Sequence, residues 1–76
     1  MIASDLRDLL VTMLTRKAAG NRQRWRIVVG EVKVYSTATH AHCNWSVTPS
    51  GSLYEMAEVE RFVDDLRLAH PIVAAG

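Results

Sequence analysis

The sequence contains little of what usually stabilises a small protein beyond its hydrophobic core. Cys43 is the only cysteine among 76 residues, so no disulfide can form within the chain. A single cysteine is typical of a reducing compartment and predicts a cytoplasmic protein. A chain of this length buries only about 60% of its unfolded surface, so its core is thin. The sequence therefore predicts one domain over residues 1–76 that associates as a homodimer.

Long apolar runs and a strong net charge are also absent. No stretch of about 18 uncharged apolar residues occurs, so the sequence predicts no membrane-spanning helix. The formal net charge of +1 favours no class of partner. The charges are unevenly distributed, because a basic stretch without acids is followed by an acidic last third. The basic stretch comprises Arg16, Lys17, Arg22, Arg24 and Arg26, and the acidic third contains Glu55, Glu58, Glu60, Asp64 and Asp65.

Two amphipathic helices are predicted from apolar residues at helical spacing. The first covers residues 4–19 and starts at the N-cap Ser4. The second begins with a capping box formed by Ser52 and Glu55 and ends just before Pro71. Each helix has a single apolar stripe, so both are expected to pack on the same sheet.

The segment 25–36 is rich in β-branched and aromatic residues, which predicts β-structure. Two interpretations fit its alternation of apolar and polar residues. The segment is either one long strand with a bulge at Gly30 or a hairpin whose two-residue turn is Gly30-Glu31. The hairpin is preferred, because it pairs Val29 with Val32. This pairing keeps the apolar residues on one face although their alternation is interrupted at Gly30-Glu31.

A further strand is predicted over residues 41–48, where Cys43 and Trp45 alternate with polar residues. The element order is then α-β-β-β-α with the hairpin, or α-β-β-α with the single long strand. The predicted fold class is α+β: a small antiparallel sheet with both helices packed on one face. A sheet this small has open edges, and pairing across an edge strand is the simplest route to the predicted homodimer.

The order α-β-β-β-α resembles that of double-stranded-RNA-binding domains, in topology alone. The resemblance implies a lysine cluster at the start of the second helix, where those domains contact phosphates. Here the corresponding positions include Glu55, Glu58 and Glu60, which repel phosphates. The sequence therefore argues against that docking mode and indicates no particular family.

The hairpin register places basic side chains on the outer face of the sheet. Lysine and arginine contact phosphates, and an aromatic ring provides a surface on which a base stacks. The sequence therefore predicts a binding or regulatory module with a nucleic-acid-binding sheet face. The alternative is a protein–protein adaptor that binds no nucleic acid. The residues of the predicted face are Arg22, Arg24, Arg26, Lys33 and Tyr35.

Metal binding and catalysis have less support. His40 and His42 would point the same way on a strand, whereas Cys43 would point to the opposite face. A structural zinc site needs four ligands, so only a dimer could complete one from this pair. No phosphate-binding glycine loop or nucleophile elbow occurs. The sequence therefore predicts a protein that is not an enzyme and that uses no cofactor.

Overall fold

Three helices and one small sheet make up the fold. The structure is a computed structural model that describes residues 1–18 and 20–75. Helices α1 and α3 pack against a two-stranded antiparallel sheet of β1 and β2. The predicted α+β class, with an antiparallel sheet and helices packed on it, is therefore confirmed. In chain order the elements are α1 (Ala3–Lys17), α2 (Arg22–Val29), β1 (Val32–Val34), β2 (Trp45–Val47) and α3 (Leu53–Ala69).

Helix α1 starts earlier than its sequence suggests. Its N-cap is Ile2 rather than Ser4, and no side chain caps it. Ile2 instead forms a parallel β-bridge with Ala74. The Ala3 N–H donates to the Ala74 carbonyl oxygen at 2.8 Å, so the chain's C-terminal segment satisfies one of the free donors at this helix start.

The apolar stripe of α1 forms much of the core, as its spacing predicts. Full burial of a leucine contributes roughly 1.5–3 kcal/mol, so this stripe is a major stabilising feature. The helix ends at Lys17, before the predicted end; Ala19, which the prediction included, lies outside the described residues. The stripe residues with no exposed surface are Leu6, Leu10, Val11 and Leu14.

The first part of segment 25–36 is helical, so the predicted strand there is wrong. The Asn21 side chain caps α2 by accepting a 2.8 Å hydrogen bond from the Arg24 N–H. Ile27, which the alternation placed inward, is 60% exposed. The buried residues follow helical rather than alternating spacing, and they are Trp25, Val28 and Val29.

The predicted hairpin turn at Gly30-Glu31 is also wrong, because Gly30 ends helix α2. Its φ of +67° lies in the left-handed region that glycine adopts without strain. The guanidinium of Arg7 in α1 donates to the carbonyl oxygens of Gly30 and Arg26. A positive charge at a helix C-terminus is favoured by the helix dipole. Arg7 thus fixes the end of α2 to α1.

The sheet is built from β1 and β2, with Val32 opposite Val47 and Val34 opposite Trp45. The observed order is therefore α-α-β-β-α, and the double-stranded-RNA-binding topology is not present in the described residues. The inward-facing residues of both strands pack against the same buried core as α1, α2 and α3. No helix among the described residues is long and apolar enough to span a bilayer.

The segment after α3 is held by the side chains of two residues at the start of β2. The buried Asn44 side chain donates to the Val73 carbonyl oxygen at 2.7 Å and accepts from the Val73 N–H at 2.8 Å. The Trp45 indole N–H donates to the His70 carbonyl oxygen at 2.8 Å. These bonds satisfy buried polar groups and fix the C-terminal segment beside the sheet. As predicted, α3 starts with a capping box and is followed by Pro71.

Candidate functional site

The predicted basic sheet face is not assembled, because its arginines lie on a helix. Arg22, Arg24 and Arg26 belong to α2, which contributes no strand to the sheet. Only Lys33 lies in a strand, and Tyr35 directly follows that strand. The two groups of residues therefore occupy different elements, and the five residues do not form a face of one sheet.

Arg24 is bound to an acid within the chain. Its Nε and Nη2 each donate to a carboxylate oxygen of Glu55 at 2.8 Å. Hydrogen bonding from Arg24, followed by that from the Ser52 backbone, lowers the pKa of Glu55 to about 2. The same pair raises the pKa of Arg24. Such a bidentate pair is geometrically specific and ties α2 to the start of α3.

The other two arginines of α2 contact residues of α1. Arg22 donates to the Thr12 hydroxyl at 2.9 Å, and the Arg26 guanidinium lies 3.6 Å from the Asp8 carboxylate. Both contacts are exposed, so each contributes little to stability. Together with Arg24, however, they turn the basic side chains of α2 towards partners within the chain.

The outer sheet face retains one base and a pair of stacked rings. Lys33 is exposed and lies opposite Ser46, whose hydroxyl is 3.0 Å from the Tyr35 hydroxyl. The Tyr35 ring stacks on the His40 ring with 4.4 Å between centroids. One face of the Tyr35 ring is therefore already covered, although the residues around it are exposed.

The two candidate metal ligands do not lie on a strand. His40 follows a turn, where its Nδ1 is 2.9 Å from the Thr39 hydroxyl, and His42 is exposed in the loop before β2. The strand argument that both rings point the same way is therefore wrong. Residues 1–18 and 20–75 contain no group of three or more histidine, cysteine or acidic residues placed to hold a metal. Completion of a site across a dimer stays a prediction.

A groove between β2 and α3 is the concave feature with the clearest chemistry. It encloses about 270 Å³. Its floor is formed by apolar residues on the strand side and on α3, and three charged side chains of α3 line it as well. The apolar residues are Val47, Pro49, Val59 and Val63, of which Val59 and Val63 are almost completely buried, and the charged residues are Glu60, Asp64 and Arg67.

The groove has more negative than positive charge. Arg67 is 3.8 Å from the Asp64 carboxylate, and its guanidinium lies 5.9 Å from the centre of the Trp45 ring. Glu60 is exposed and forms no ion pair within the described residues. One arginine therefore accompanies two carboxylates, which leaves Glu60 available to an external cation.

The groove adjoins a strand with an unpaired edge. Within residues 1–18 and 20–75, β2 pairs with β1 and with no further strand. An unpaired strand edge presents backbone donors and acceptors that another chain can use. The segment after α3 covers part of this edge, because the Asn44 N–H donates to the Pro71 carbonyl oxygen at 3.1 Å and Trp45 is buried. The groove and its exposed carboxylates therefore lie beside a strand edge that is only partly accessible.

The groove acids belong to the acidic last third of the sequence. Glu60 and Asp64 are spaced i, i+4, which places them on one side of α3 next to Val59 and Val63. This spacing was visible in the sequence. The position of Val47 against that side was not, because it depends on how β2 and α3 pack.

Comparison of the chain with protein-family models, with curated proteins and with solved structures found no match.

Proposed function

We propose that this chain is a small binding module whose partner is another protein and whose contact surface is the groove between β2 and α3. The groove itself is the observation that supports this function. Its volume of about 270 Å³ lies just below the range of about 300–1,000 Å³ typical of small-molecule pockets. It therefore suits one or two inserted side chains better than a cofactor.

The state of the arginines favours a protein partner over nucleic acid. Non-specific binding to nucleic acid depends on cations that are free to neutralise phosphates. Arg24 is occupied by Glu55, and Arg26 lies beside Asp8. A phosphate backbone approaching α2 would meet these acids as well as the arginines.

Peptide selection on the purified protein tests this function. A displayed peptide library supplies binders, and titration of a selected peptide into isotope-labelled protein shows which backbone amides respond. We expect responses centred on β2 and on the part of α3 that contains Val59 and Val63. Val47→Thr places a hydroxyl in the groove floor at constant shape and should weaken binding.

The matched control is Val34→Thr, since Val34 is a half-buried valine of β1 outside the groove lining. It should bind the selected peptide as the wild type does. Failure to select any peptide, or responses confined to other surfaces, would contradict the proposed function.

Nucleic-acid binding through the outer sheet face is a second candidate. The observation in its favour is the exposed Lys33 near the stacked Tyr35 and His40 rings. Anisotropy of labelled single-stranded RNA at about 50 and 200 mM salt tests it, because phosphate contacts weaken steeply over that range. Salt-sensitive binding that Lys33→Gln reduces would support it, and absence of binding at the lower salt would remove it.

Self-association and a cytoplasmic location complete the proposal. The unpaired edge of β1 and the exposed side chains of Leu53 and Leu68 favour a homodimer. Light scattering at micromolar concentration tests it, and a stable monomer would contradict it. The cytoplasmic location depends only on the single cysteine, Cys43.

A further inference from the structure

We infer that two copies of this chain associate through the exposed side of α3, with the two helices antiparallel. Leu68 of each copy then packs on Ala57 of the other. Arg61 of each copy lies beside Asp64 of the other. This inference rests on the self-association included in the proposed function, and it assigns that association to one surface.

The exposed side of α3 lies opposite the side that packs into the core. Its residues recur at intervals of three or four positions, so they share one side of the helix. Leu68 is 87% exposed and Leu53 is 83% exposed, more than any other large apolar residue in the described part of the chain. The exposed side comprises Leu53, Ala57, Arg61, Asp64 and Leu68, and the buried side comprises Val59, Phe62, Val63 and Leu66.

The charges on this side favour a second copy of the chain as the partner. Arg61 and Asp64 have opposite charge and lie about one helical turn apart. When a second α3 runs in the opposite direction, aligned about the point midway between residues 62 and 63, Arg61 of each copy faces Asp64 of the other. A parallel copy would place like charges opposite each other. The side is therefore complementary to itself in the antiparallel orientation, as a two-fold symmetric interface requires.

The same alignment places the exposed leucine on a small residue. Leu68 and Ala57 each lie about 8 Å along the helix from the midpoint, at opposite ends, so they meet across the interface. A small side chain at this position lets the helices approach to about 8–10 Å while the leucine packs between them. Two-fold symmetry repeats the contact, so two exposed leucines are removed from water. Leu53 lies further from the midpoint, at the rim of the contact.

The ion pairs within α3 do not oppose this association. Arg61 donates to the Glu58 carboxylate at 2.7 Å, and the Asp64 carboxylate lies 3.8 Å from Arg67. Both pairs are formed within one helix, so they hold no second element in place. A guanidinium has five donors and a carboxylate has two acceptor oxygens, so each group can bind a second partner while retaining the first.

Sedimentation equilibrium of the full chain tests the apolar contact. Leu68→Gln should weaken self-association about tenfold, because both copies lose the leucine contact. Leu53→Gln should weaken it less, because Leu53 lies at the rim. The matched control is Ile27→Gln, since Ile27 is an aliphatic residue of α2 that is 60% exposed, and it should leave the dissociation constant unchanged. Melting temperatures of all variants show that they are folded.

Charge reversal tests the pairing of the two copies. Arg61→Asp and Asp64→Arg should each weaken self-association about tenfold, because each places like charges opposite each other. An equimolar mixture of the two variants should associate as the wild type does, since each reversed charge then meets an opposite charge. A mixture that associates no better than the separate variants would overturn the proposed pairing.

The outcomes distinguish the interface from the self-association on which it rests. A wild-type dimer that no α3 variant weakens would overturn this inference and leave the dimer to another surface, whereas a stable wild-type monomer would contradict self-association itself. A larger effect from Leu53→Gln than from Leu68→Gln would overturn the alignment about residues 62 and 63. The test of the groove is separate from all of these, because Val47 lies on β2 and not on α3.

Discussion

The basic face of α2 and the acidic groove of α3 both contain clusters of charged residues, but the two clusters differ in how far they are paired within the chain. On α2 the residues Arg24 and Arg26 meet Glu55 and Asp8 from the neighbouring helices. In the groove, Glu60 faces solvent without an ion partner among the described residues. The sequence shows both clusters equally well.

The difference shows that the density of charge in a sequence is a poor guide to a binding surface. A charge that holds two elements of one chain together is already partly neutralised when a partner approaches. A charge beside an apolar groove can form a new pair without breaking an old one. Three predictions test this contrast, in order of decreasing effect on the free energy of unfolding.

The largest expected effect comes from Arg7, which attaches α2 to α1. Arg7→Met keeps the apolar stem but removes the hydrogen bonds to the Gly30 and Arg26 carbonyl oxygens. Loss of charged hydrogen bonds at this partly buried site should lower the free energy of unfolding by about 2 kcal/mol. Urea denaturation measures it.

Arg16→Met is the control for this experiment, because Arg16 is exposed in the last turn of α1. It should change stability by less than about 0.5 kcal/mol. Equal stability of the two variants would show that Arg7 is dispensable and that α2 is held by its apolar residues alone.

An intermediate effect is expected from Glu55, and it depends on pH. The pKa of Glu55 falls from the ordinary value of 4.5 to about 2 in the folded chain, chiefly through hydrogen bonds from Arg24 and the Ser52 backbone. The carboxylate therefore stabilises the fold above pH 4.5. That contribution is lost as the pH falls towards 2.

Glu55→Gln should lower the melting temperature at neutral pH and remove part of its decline between about pH 5 and 2. Arg24→Met eliminates the same pair from the other side and should also flatten the profile. Thermal unfolding across this pH range measures both. A Gln variant with the same slope as the wild type would mean that the pair does not stabilise the fold.

The smallest effect is expected in the groove. Glu60→Gln and Asp64→Asn should each change the free energy of unfolding by no more than about 0.5 kcal/mol, because these exposed acids hold no other element in place. Chemical denaturation measures it. Destabilisation as large as that from Arg7→Met would make the groove acids structural and remove the contrast with α2.

Much of the helical structure could be predicted from local chemistry. The leucines of α1 recur at helical spacing, and Ser52 with Glu55 marks the start of α3. These signals depend on residues within a few positions of one another, so an isolated sequence displays them. The start of α1 at Ala3 was missed, because it depends on a bond to Ala74 at the other end of the chain.

Segment 25–29 could not be assigned in the same way. Its residues favour a strand by propensity, yet Asn21 caps a helix and Gly30 ends it. Burial of Trp25 and Val28 on one side provides the packing that overrides the weak local preference. The predicted nucleic-acid face depended on this assignment, so its arginines were placed on the wrong element.

The sequence by itself determined the α+β class, the two long helices and the residues available for the core, because periodicity and capping are local properties. Tertiary structure alone decided that α2 is a helix, that Arg24 is bound by Glu55, and that Val47 lies beside the exposed carboxylates of α3. Those outcomes depend on contacts between residues distant in the chain, whose free energies exceed local propensities of at most about 1 kcal/mol.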